Sequence, residues 1–85
     1  MNIELLSVPD CPNVAATRDL LRDCLRRLGL DEQVTERVGG YPSPTILVDG
    51  ADVMGTPATA AASCRLDVPT EDRILAALEQ NRNRP

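Results

Sequence analysis

The chain has 85 residues, the size of one small domain, and 42% of them are hydrophobic, which is enough for a core of its own. Its net charge of −4 argues against nucleic acid as a main partner, because phosphate binding needs a basic surface. Histidine and lysine are both absent, which excludes Ser–His and Cys–His catalysis, histidine metal sites and Schiff-base chemistry. Without a long apolar stretch or an export signal, we expect a cytoplasmic protein with no membrane partner.

The first two predicted elements are a strand and a helix. Residues 2–8 read as a strand that Pro9-Asp10 ends. Pro12 suits the first turn of a helix that runs to about Leu28 and is capped by Gly29. One apolar stripe follows the helical period: Val14, Thr17, Leu20, Leu21, Cys24, Leu25 and Leu28.

Three further strands are predicted in the middle of the chain. Residues 33–38 form a weak strand, and Gly39-Gly40 breaks it. Residues 45–48 and 51–54 form a hairpin, because Asp49-Gly50 between them is a strong two-residue turn signal.

The last part of the chain contains a second helix. Residues 55–67 are compatible with either a short helical turn or a loop. Thr70 is a suitable N-cap for a helix that buries Ile74, Leu75 and Leu78. We therefore expect a single domain over residues 1–80 and a flexible C-terminal tail over residues 81–85.

The element order predicts an α/β fold, β-α-β-β-β-α. The βαβ unit implies a parallel strand pair, and the hairpin adds antiparallel strands. The result is a mixed four-stranded sheet with the helices packed on it.

Cys11 is the candidate nucleophile, because it lies where the first strand gives way to the first helix. The alternative is a buried structural cysteine at the end of a strand. The unpaired N–H groups and partial positive charge of a helix N-terminus stabilise a thiolate and lower a cysteine pKa. The negative charge of Asp10 opposes this effect, so a modest lowering is expected. We expect the backbone N–H groups of Asn13 and Val14 to point at the sulfur, and the sulfur to lie at the surface edge of the sheet.

Two motifs resemble those of the thioredoxin–glutaredoxin superfamily. The first is Cys11-Pro12-Asn13-Val14 at the start of the helix, and the second is the segment Ser43–Val48 followed by Asp49-Gly50. The resemblance implies a minimal thioredoxin-like fold with a cis Ser43–Pro44 peptide bond beside Cys11. It also implies a substrate-binding surface built from Pro12, Asn13, Val14, Ser43, Pro44 and Thr45.

The sequence departs from the superfamily at the second cysteine of its Cys-x-x-Cys motif, where this chain has Val14. A dithiol cycle between neighbouring cysteines is therefore impossible, and a glutaredoxin-like monothiol mechanism at Cys11 is expected. Glutathione or another low-molecular-weight thiol is a suitable co-substrate, and no bound cofactor is required.

Cys64 is the second candidate catalytic residue, as the thiol that resolves a mixed disulfide on Cys11 or as an incidental loop cysteine. Its surroundings also resemble small thioredoxin-like proteins labelled alkylmercury lyase-like. Cys24 falls in the apolar stripe of the first helix and is expected in the core.

Three functions are compatible with these residues. The leading hypothesis is thiol–disulfide exchange with a disulfide or small-thiol substrate, which would make the protein an oxidoreductase. The second is binding of a thiophilic metal or metalloid ion, mercury or arsenic in type, by Cys11 and Cys64. The third is a non-catalytic interaction module for a partner protein.

Overall fold

The computed structural model describes residues 1–55, 63–64 and 68–82, and it gives residues 63 and 64 through their backbone alone. In this part of the chain the architecture is mixed α/β. The elements in chain order are β1 (Ile3–Ser7), α1 (Val14–Arg27), β2 (Val34–Val38), β3 (Pro42–Ser43), β4 (Thr45–Val48), β5 (Ala51–Asp52), β6 (Ser63–Cys64) and α2 (Glu71–Arg82).

The main sheet has four strands in the order β2-β1-β4-β5. β1 pairs in parallel with β2 and antiparallel with β4, and β4 pairs antiparallel with β5. The predicted mixed sheet is therefore confirmed, with α1 as the crossover between its parallel strands. The hairpin turn is also confirmed: Asp49 and Gly50 have φ values of 50° and 86°, the left-handed conformation that a tight two-residue turn requires.

A second sheet, formed by β3 and β6, was not predicted. Its two strands have two residues each and pair in parallel, Pro42 with Ser63 and Ser43 with Cys64. Strands this short contain no hydrophobic period, so the sequence pattern carries no signal for them. The sequence left open whether residues 55–67 form a short helical turn or a loop, and most of these residues lie outside the described part of the chain.

Helix α1 begins at Val14, two residues later than predicted, because residues 12 and 13 form a turn after Cys11. Its end matches the prediction. Gly29 has φ 66°, its N–H donates to Arg26 O, and the Leu30 N–H donates to Leu25 O. These are the two hydrogen bonds of a Schellman cap, which needs a left-handed residue at this position.

Helix α2 starts as predicted, with the Arg73 N–H donating to Thr70 Oγ1 over 3.4 Å. It continues through Asn81 and Arg82, which the sequence analysis assigned to the flexible tail. The Asn81 side chain donates to Ala77 O over 2.7 Å and so belongs to the last helical turn. Residues 83–85 of the predicted tail lie outside the described residues.

One hydrophobic cluster joins both helices to the sheet. Ile3 and Leu5 share a face of β1 because strand side chains alternate, and the same cluster contains Ile74 of α2. Leu75 packs at its margin and is half-buried, not buried as predicted. The buried residues of this hydrophobic cluster are Ile3, Leu5, Leu21, Cys24, Leu25, Ile46, Val48, Val53, Ile74 and Leu78.

Polar contacts at the rim complete the helix packing. Arg27 of α1 forms an ion pair with Glu71 at the start of α2.

In the described residues, neither helix combines the length and the apolar character that crossing a membrane requires.

Candidate functional site

Cys11 lies in the connection between β1 and α1, as predicted. The preceding residue, Asp10, has φ 61°, a left-handed conformation that aspartate tolerates better than most residues. Cys11 is 9% exposed. The prediction that its sulfur lies at the surface edge of the sheet was therefore wrong in its degree of exposure, since most of the residue is covered and only a small part remains accessible to solvent.

The Cys11 thiol faces the backbone of β3. Its Sγ lies 3.9 Å from the carbonyl oxygen of Ser43, towards which the S–H donates. This is a long and weak hydrogen bond, and it favours the neutral thiol, which can donate, over the thiolate, which cannot. The peptide bond that follows, Ser43–Pro44, is cis, as the superfamily resemblance implies.

The N-terminus of α1 follows Cys11 directly. Asn13 is the N-cap residue, but its side chain makes no capping hydrogen bond, and the first turn contains no acidic residue. The Val14 N–H donates to the Cys11 carbonyl oxygen over 3.4 Å, so the hydrogen bond described for it does not go to the sulfur as predicted. Helix geometry leaves the N–H groups of Ala15 and Ala16 without intrahelical acceptors. The positive end of α1 is thus not neutralised by its own side chains.

The predicted substrate-binding residues divide into two groups. Pro12 and Asn13 are exposed and Val14 is half-buried, so these side chains remain accessible. In contrast, the side chains of the other group (Ser43, Pro44 and Thr45) are buried. These burial values are for whole residues, main chain included, so the structure does not confirm that Ser43, Pro44 and Thr45 contact a substrate, which is a correction to their predicted role.

The buried hydroxyls on either side of Pro44 differ in their partners. Thr45 Oγ1 donates to Pro42 O over 2.6 Å and closes the turn around Pro44. Ser43 is fully buried, and its Oγ finds no hydrogen-bond partner among the described residues. A buried hydroxyl without a partner is destabilising, so Ser43 is not there to stabilise the fold through this group.

The backbone of Cys64 is placed beside the same segment. In the parallel β3–β6 pair, Cys64 is the direct neighbour of Ser43. The strand that contacts the Cys11 sulfur is therefore also the strand that positions Cys64. Both cysteines were predicted, with Cys64 in a loop that can return towards the N-terminus of α1, but no sequence pattern indicated the strand pairing of Cys64 with Ser43.

Cys24 occupies the core, as predicted. It is fully buried in α1. Burial raises the pKa of the Cys24 thiol, since the charged form is poorly solvated there; Arg27 partly offsets this and Asp23 adds to it. Cys24 is therefore a packing residue that stays protonated at neutral pH.

Among the described residues there is no cluster of three or more histidine, cysteine, aspartate or glutamate side chains that could hold a metal ion.

Comparison with known proteins found no similarity: no family model matches the chain, and no curated protein or solved structure matches it.

Proposed function

We propose that this protein is a thioredoxin-like thiol–disulfide exchange protein in which Cys11 is the nucleophile. The observation that carries the proposal is the position of Cys11, which lies between the uncapped N-terminus of α1 and the buried main chain at Ser43. The topology supports the finer fold assignment, since a parallel βαβ unit, an antiparallel hairpin and a final helix are joined in that order.

Two opposing electrostatic effects act on the Cys11 thiol. The positive end of α1, which follows Cys11 in the chain and has no side-chain cap, stabilises negative charge in its vicinity. The Ser43 carbonyl oxygen acts in the opposite direction, because it accepts from the neutral thiol. A thiol with these two neighbours is held in place when protonated and is stabilised by the helix after it loses the proton.

The reaction is an exchange of one disulfide for another. The Cys11 thiolate attacks one sulfur of a substrate disulfide, a Cys11–substrate bond forms, and the other substrate sulfur leaves as a thiolate. A low-molecular-weight thiol such as glutathione then attacks the mixed disulfide and restores Cys11. The nine-tenths coverage of Cys11 favours a slender substrate sulfur over a bulky folded surface.

The test is reduction of a small disulfide by glutathione with the parent protein, Cys11→Ser and Cys24→Ala. We expect Cys11→Ser to fall to the rate without protein and Cys24→Ala to retain the parent rate. Circular dichroism confirms that each variant is folded. A Cys11→Ser protein that retains the parent rate contradicts the proposal.

A further inference from the structure

We infer that Cys64 is the resolving thiol of Cys11 and that the β3–β6 strand pair is the device that presents it. This inference deepens the proposed exchange function and rests on it. It assigns to the site a dithiol mechanism between cysteines that are far apart in the sequence, in place of the neighbouring pair that Val14 rules out.

The two cysteines converge on one residue from different parts of the chain. Ser43 receives the Cys11 thiol at its carbonyl oxygen, with 3.9 Å between the sulfur and that oxygen. In the parallel ladder, Ser43 also stands directly opposite Cys64. Neighbouring strands lie about 4.8 Å apart, so the backbone of Cys64 is one strand spacing from the segment that touches the Cys11 sulfur.

The third cysteine cannot take this role. Cys24 is fully buried in the core, and it lies ten residues beyond the start of α1. Ten residues of helix span about 15 Å, whereas the Cα atoms of a disulfide lie about 4.4–6.8 Å apart. Cys64 is therefore the partner that the fold offers to Cys11.

The chemistry balances in three steps. Cys11 attacks the substrate disulfide, forms the mixed disulfide and releases the first substrate thiolate. The Cys64 thiolate then attacks Cys11 Sγ, forms a Cys11–Cys64 disulfide and releases the second substrate thiolate. The substrate has gained two electrons and the protein has lost two, which an external dithiol, or two molecules of a monothiol, restores.

A resolving thiol within the protein also shortens the lifetime of the mixed disulfide on Cys11. A mixed disulfide waiting for an external thiol depends on the concentration of that thiol, whereas an intramolecular thiol attacks at a high effective concentration. The inference therefore predicts that the adduct on Cys11 is short-lived in the parent protein and persistent when Cys64 is absent.

The experiment uses the reduced full chain and 5,5′-dithiobis(2-nitrobenzoic acid), an aromatic disulfide, followed by mass spectrometry and peptide mapping. The parent is expected to end as a Cys11–Cys64 disulfide without an adduct. Cys64→Ser is expected to retain the thionitrobenzoate adduct on Cys11. Cys24→Ala is the matched control and should behave as the parent.

A second variant tests the strand pairing itself. Ser63→Cys combined with Cys64→Ser keeps the number of thiols but moves one of them by one residue along β6, to the position that pairs with Pro42 and not with Ser43. We expect this protein to retain the Cys11 adduct at least ten times longer than the parent. Equal lifetimes would overturn the role of the β3–β6 register.

The outcomes separate this inference from the proposed function. If the parent keeps its Cys11 adduct as long as Cys64→Ser does, the resolving role is overturned while the exchange function stands. If Cys64→Ser acquires no adduct on Cys11 and the parent forms no Cys11–Cys64 disulfide, although Cys11 of the urea-unfolded chain reacts, the exchange function itself fails.

Discussion

The Cys11 sulfur lies 3.9 Å from the carbonyl oxygen of Ser43, although 32 residues separate the two in the chain. This contact joins the β1–α1 connection to the short strand β3. It is the link between the candidate nucleophile and the second sheet, where the backbone of Cys64 is paired.

The first prediction concerns the unpartnered hydroxyl at that contact. Ser43→Ala removes a buried Oγ without a described hydrogen-bond partner and leaves the Ser43 carbonyl in place. We expect the free energy of unfolding to stay equal or to rise by up to about 1 kcal/mol, since no hydrogen bond is lost. Urea denaturation measures this change.

The matched variant is Thr45→Val, which removes the hydroxyl that donates to Pro42 O. Here we expect a loss of about 1 kcal/mol, because a part-buried acceptor loses its donor. A larger loss for Ser43→Ala than for Thr45→Val would mean that the Ser43 hydroxyl has a partner that the described contacts do not contain.

The second prediction tests the end of α1. Gly29→Ala should lower the free energy of unfolding by about 1–2 kcal/mol, because a Cβ in the left-handed conformation is strained. Gly40→Ala is the control: an added Cβ there meets open space, and the backbone is not in the left-handed region. Thermal unfolding of both variants should separate them, and equal melting temperatures would contradict the Schellman cap.

The third prediction is a pH dependence. A hydrogen bond from Arg18 is the main reason that the pKa of Glu36 lies below its ordinary value of 4.5. A carboxyl whose pKa is lowered by folding contributes stability above its unfolded pKa, and that contribution disappears as the pH falls through the lower folded value.

Glu36→Gln should therefore cost about 0.2–1 kcal/mol at neutral pH, the usual range for a solvent-accessible pair. The difference from the parent should vanish in acid well below pH 4.5. Urea denaturation across this range, with Arg18→Gln and the double variant completing a cycle, isolates the pair. A difference that persists unchanged in strong acid would show that Glu36 acts through packing and not through charge.

Much of the fold was predictable because its elements are long enough to carry a period. The apolar stripe of α1 fills the core as predicted, and Asp49-Gly50 forms the predicted turn. The start of α1 was misplaced because Pro12 is equally compatible with a turn that precedes the helix.

The site was predictable only in part. The strand-to-helix junction identified Cys11, and the superfamily resemblance supplied the cis bond at Pro44. The burial of Ser43 and the pairing of Ser43 with Cys64 depend on tertiary structure, and strands of two residues are too short to produce a recognisable sequence pattern. Local sequence patterns therefore identified Cys11 and Cys64 as candidates but did not show how the two residues are placed relative to each other.

The most direct measurement of the central claim is the alkylation rate of Cys11 by iodoacetamide as a function of pH, with peptide mapping and with Cys24 as the internal comparison. We predict half-maximal reactivity of Cys11 clearly below pH ~8, the expected behaviour of a thiolate stabilised by a helix N-terminus. Cys24, buried and with a raised pKa, should remain unmodified until the protein unfolds. A Cys11 that follows an ordinary free thiol, with a midpoint near about pH 8.5, or that reacts as slowly as Cys24, would contradict it.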